Sequence, residues 1–148
     1  MAVLKGKVNG QWQEINAAYY QKFYPDEWLF KDGALNLNAY GNLVPADKYS
    51  INSTSKMLDV LAQSSVYFES PITRSFAKIK IVVGNQSRFP KLRLGSTPTG
   101  GEYYDYALHA GDNEISLQNI PKPFYFCLQN PPAGDQYSIG SITSITLE

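Results

Sequence analysis

From residue 64 to residue 147, apolar and polar positions alternate with a period of two. That is the mark of strands with one buried face and one wet face. In SVYFES, Val66 and Phe68 fall on one face and Tyr67 and Glu69 on the other. SFAKIKIVV places Ala77, Ile79, Ile81 and Val83 inward and Lys78 and Lys80 outward. KLRLGS alternates Leu92 and Leu94 with Lys91 and Arg93. EYYDYAL sets Asp105 opposite Tyr104, Tyr106 and Leu108, and EISLQNI turns Ile115 and Leu117 inward. FYFCLQN aligns Phe124, Phe126 and Leu128. QYSIGSITSITLE reads as a last strand with a bulge at Gly140, ending on Ile145 and Leu147. Turn residues separate these runs at Gly84-Asn85, Thr97–Gly101, Gly111–Asn113 and Asn130–Asp135. Short strands roughly ten residues apart predict a sandwich or barrel rather than alternating strand and helix.

The first third is less regular. Residues 1–16, MAVLKGKVNGQWQEIN, predict two short strands about Asn9-Gly10, a strong two-residue hairpin signal. Val3, Leu4, Val8, Trp12 and Ile15 are its apolar members, and such a hairpin needs a partner surface to be stable. AAYYQKFY, Ala17–Tyr24, predicts one or two helical turns before Pro25. Residues 28–50 predict a short strand, a turn at Asp32-Gly33 and a polar loop broken by Gly41 and Pro45. KMLDVLA, residues 56–62, fits either a strand or a helical turn.

Composition narrows the class. A chain of 148 residues, 43% hydrophobic and 18% charged, is one globular domain able to bury a core without disulfide or metal. Lys+Arg and Asp+Glu are equal at 13 each, which argues against nucleic acid as a partner and leaves little repulsion between copies. Cys127 stands alone, so no internal disulfide is expected. No long apolar run marks a signal peptide or approaches the roughly 20 residues that span a bilayer. Synthesis in a reducing cytosol is therefore expected, with no membrane association.

No catalytic set emerges, and the chain reads as non-enzymatic. His109 is the only histidine and falls beside a turn. Cys127 lies within FYFCL, where a buried inert thiol is expected. GSTPTGGE lacks the Lys-Ser/Thr of a phosphate loop, and Asp26, Glu27 and Asp32 are too sparse for a calcium loop. No metal or cofactor is expected. The 11 tyrosines among 14% aromatic residues are the remaining candidates, since aromatic faces stack on sugars or anchor interfaces. Tyr103, Tyr104, Tyr106 and Trp28 are the ligand-binding candidates.

Two stretches carry a resemblance. KVNGQWQEI resembles the start of many phage virion proteins, where a Val-x-Gly-x-Trp segment begins the chain. LFKDGALN with SVYFESPITRSFAKIKIVVGN, closing in FYFCLQN and SIGSITSITLE, resembles small jelly-roll domains of phage fibres and carbohydrate-binding modules. The resemblance implies an all-β, antiparallel, jelly-roll-like sandwich at residues 17–148, behind an attachment segment or hairpin at residues 1–16. It implies a non-enzymatic structural or adhesion component of a virion: a head-fibre, tail-fibre, capsid-decorating or baseplate protein. Such a protein is expected to form a homo-oligomer, to touch other virion proteins and to bind host-surface glycan. The alternative it implies is a carbohydrate-binding module of a larger glycan-degrading system.

Overall fold

The computed structural model describes residues 5–8, 11–14, 25–84, 90–130 and 140–148, the first two stretches as backbone alone. The predicted helix at Ala17–Tyr24 lies outside the described residues. Strands β1 (Lys5–Val8) and β2 (Gln11–Glu14) pair antiparallel on either side of residues 9 and 10, as expected of a hairpin there.

The remaining described residues fold almost entirely into strands. In chain order these are β3 (Glu27–Lys31), β4 (Ala34–Leu35), β5 (Leu43–Val44), β6 (Tyr49–Ile51), β7 (Leu58–Val60), β8 (Ser64–Phe68) and β9 (Lys78–Val83). They continue with β10 (Lys91–Gly95), β11 (Tyr104–Ala107), β12 (Gly111–Ser116), β13 (Tyr125–Asn130) and β14 (Gly140–Leu147). Helix among the described residues is one turn, α1 (Leu37–Tyr40), and a 3-10 turn at Ala46–Lys48. KMLDVLA resolves as a strand, β7.

Two antiparallel sheets pack face to face. Strands β7 to β14 supply four to each, in the orders β7-β14-β9-β12 and β8-β13-β10-β11. Successive strands change sheet at every step except β10 to β11, which is the double Greek key of a jelly roll. Residues 27–51 add strands along one side. β5 extends the second sheet beyond β8, while β3 with β4 and β7 with β6 line the free edge of β14.

The inward rows match the alternation. Ile79, Ile81, Leu92, Leu94, Val66, Phe126 and Leu128 are fully buried, and the Phe68 and Phe126 rings meet at 5.5 Å. At two places the structure corrects the pattern. Ala77 is exposed and Phe76 is buried in its place, because β9 begins only at Lys78. The irregularity in β14 is not at Gly140, which pairs in register with Val60. It lies between Ile142 and Ser144, where three steps of β14 from Ile142 to Ile145 span two steps of β9 from Val83 to Ile81. The extra residue changes phase, so Ile142, Ile145 and Leu147 all face inward despite their uneven spacing. On its other edge, Ile145 and Thr146 face Phe30 and Trp28, which leaves Leu29 as the extra residue of β3. Both Leu29 and Phe30 are fully buried as a result.

At the corner where β11 passes to β12, a buried polar residue takes a core position. Asn113 shares its amide hydrogens among the carbonyls of His109 (2.8 Å), Gly111 (3.1 Å) and Ile81 (3.2 Å). Its Oδ1 accepts from the His109 N–H at 2.9 Å. A fully satisfied amide of this kind fixes the corner without the cost of a bare buried group.

Replacing Phe126 with alanine should cost about 3–5 kcal/mol by chemical denaturation, because its ring is wholly enclosed. A loss below about 1 kcal/mol would place Phe126 outside the core.

Candidate functional site: the outer face of the five-stranded sheet

Burying one set of side chains leaves the alternate set on the outside. For the five-stranded sheet that set is Ser65 and Tyr67 on β8, Tyr125, Cys127 and Gln129 on β13, Lys91 and Arg93 on β10, and Asp105 on β11. Strand register aligns them. Tyr67, Cys127, Arg93 and Asp105 form one row across four strands. Ser65, Gln129 and Lys91 form the next. Tyr125 lies one pleat from Cys127, diagonal to Tyr67, a separation of about 7–8 Å between backbones.

Tyr67, Tyr125, Gln129, Arg93 and Lys91 are each half-buried, whereas Cys127 is fully covered. Burial pushes the Cys127 thiol up to about 11; the Arg93 cation draws it down and the Asp105 carboxylate raises it. The thiol is thus the floor of the face and not a nucleophile at neutral pH.

The loop from β10 to β11 bounds one end. Arg93 Nη1 donates to the Thr99 carbonyl at 2.8 Å, and Arg93 Nε lies 3.6 Å from the Asp105 carboxylate. Lys91 Nζ lies 3.0 Å from the other Asp105 oxygen. A Cβ on Gly101 would sit 2.7 Å from Arg93 Nε, so a side chain there would require the guanidinium to move. The Glu102 carboxylate accepts the Ser96 N–H over Gly95, and that bond holds its pKa below the usual carboxylate range. The glycines of GSTPTGGE serve these close approaches.

The outer face of the other sheet differs. It is a ladder of exposed ion pairs, Lys78 with Glu114 at 3.1 Å and Lys80 with Asp112 at 3.8 Å, of a kind worth little each.

The sequence candidates fall in three places. Tyr104 and Tyr106 alternate with Asp105 and so lie on the core side of β11, their rings edge to face at 4.9 Å. Tyr104 and Tyr103 are half-buried against the core, and burial raises the Tyr104 hydroxyl. Tyr106 is 64% exposed. Trp28 belongs to the other sheet, opposite Thr146, with the Lys31 ammonium 5.4 Å from its ring centroid. The structure therefore does not bring Trp28 together with the three tyrosines. Tyr67 and Tyr125 were not among the candidates, although the alternation of SVYFES and FYFCLQN turns both outward. Of the proposed attachment segment, Val3, Leu4 and Ile15 lie outside the described residues. Val8 and Trp12 lie on β1 and β2, described as backbone alone.

His109 is exposed, with Nδ1 2.9 Å from the Ala110 carbonyl. Glu27 pairs with Arg74 at 3.0 Å, and no group of three or more His, Cys, Asp or Glu that could hold a metal occurs among the described residues.

Because the folded state holds Cys127 protonated, its contribution to stability is complete below the thiol pKa of the unfolded chain, near 9. It is lost as pH rises toward about 11. Melting curves across that window should fall more steeply for the native chain than for Cys127→Ala. Parallel curves would show that the thiol is not held in its neutral form. Native-state thiol labelling should likewise be slow until denaturant is added.

Comparison with protein-family models, with curated proteins and with solved structures finds no match in any of the three.

Proposed function

We propose that this chain is a non-enzymatic structural and adhesion component of a phage virion, a fibre, capsid-decorating or baseplate protein whose sandwich holds host-surface glycan. The observation that carries glycan recognition is the pair of half-buried tyrosines, Tyr67 and Tyr125, on the outer face of the five-stranded sheet. A sugar ring has an apolar C–H face and a rim of hydroxyls. A tyrosine offers the matching apolar body and polar tip. Ser65 and Gln129, in the neighbouring row, offer donors and acceptors beside Tyr67, and Arg93, held by the Thr99 carbonyl and the Asp105 carboxylate, lies across Cys127 from it. Preorganised polar groups beside an apolar platform give orientation as well as affinity.

The virion setting is supported by the resemblance of KVNGQWQEI and of the jelly-roll strands to phage virion proteins. On this reading the hairpin of β1 and β2 attaches the chain to other virion proteins, and the sandwich projects to meet the host.

A glycan array should retain the protein. Titration calorimetry on the retained glycan should then show Tyr67→Ala and Tyr125→Ala each about tenfold weaker, the loss of an aromatic contact worth ~1.4 kcal/mol. Trp28→Ala, on the other sheet, should bind as the native chain does. No retained glycan, or tyrosine variants that bind normally, would sink this reading.

A further inference from the structure

The two long sides of the sandwich end differently. On one, residues 27–51 add strands to both sheets. On the other, the five-stranded sheet ends at β11, which among the described strands pairs with β10 alone. Sheet edges are normally protected by shortness, proline or charge. Among the described edges, β4 and β5 have two residues each, and β5 runs into Pro45. β6 has three, and β12 displays exposed Asp112 and Glu114. β11 has four residues and one charge, Asp105, which is countered by both Lys91 and Arg93. It also presents Tyr106, at 64% the most exposed large hydrophobic side chain among the described residues.

We infer that β11 pairs antiparallel with β11 of a second copy about a two-fold axis, joining two five-stranded sheets into one. The strand is complementary to itself. In a two-fold antiparallel pair, residues facing each other share a face of the sheet, so the axis passes through one residue of the strand. With the axis at Tyr106, that ring meets its own counterpart and Asp105 faces the Ala107 position of the second copy. Aromatic pairs stabilise such a ladder, and no like charges are set opposite each other. The chain as a whole carries 13 positive and 13 negative residues, so its copies do not repel at long range. The inference stands on the strand edge and not on the glycan reading, since Tyr67 and Tyr125 lie on β8 and β13.

One short strand pair is a small interface, so dissociation in the range of ~10–100 μM is expected. Sedimentation equilibrium of the full chain up to about 300 μM should show a monomer–dimer equilibrium governed by mass action. Tyr106→Lys and Tyr106→Glu should each be monomeric, because each sets like charges across the axis. An equal mixture of the two should associate again. Circular dichroism of both variants confirms that they remain folded, as the exposed position predicts. A native chain that stays monomeric, variants that dimerise as it does, or a mixture that fails to reassociate would each overturn the pairing.

Discussion

Strand β14 must satisfy two edges at once. β9 lies along one, and β7 followed by β3 along the other, and each neighbour has its own register. The core requires that β14 present Ile142, Ile145 and Leu147 to the opposite sheet. A regular strand cannot do so, since its side chains reverse at every residue. The bulge after Ile142 and the additional residue in β3 reconcile the demands. They also hold the register, because a slip of one residue would turn the apolar set of β14 outward against β9 and β3 together.

With the interior settled in that way, the outer face of the five-stranded sheet is free to carry something other than stability. Its rows are neither an apolar patch nor a ladder of exposed ion pairs like that of Lys78 and Lys80. Cys127 seals the floor, and the tyrosines and Gln129 stand half out of it. The Gly101 and Glu102 contacts fold a loop down at one end. It is on this combination of a covered thiol, half-buried tyrosine rings and neighbouring polar side chains that the proposed glycan reading rests.

Much of this was legible in the sequence, for reasons that differ by region. From Val66 to Leu128 period two sorts most side chains of the strands into an inward and an outward row. It also turns Tyr67 and Tyr125 outward. What alternation does not contain is which strands become neighbours, and so the proximity of those two tyrosines was hidden. So was the assignment of Trp28 to the other sheet. The exchange of Phe76 for Ala77 and the phase change in β14 are departures from the period itself, decided by packing. The short strands β4, β5 and β6 have almost no pattern of their own; pairing with neighbouring strands creates them.

The place of β14 in the chain also bears on how the protein forms. Its partners are residues 27–31, 58–60 and 78–83, so the middle of the larger sheet is missing until residues 140–147 arrive. Non-local pairing of this kind closes long loops before it is rewarded, and it slows folding. Until then β9 and β7 have apolar faces and unpaired edges on both sides of a gap. During synthesis that gap leaves strand edges open to non-native pairing until the last strand is made.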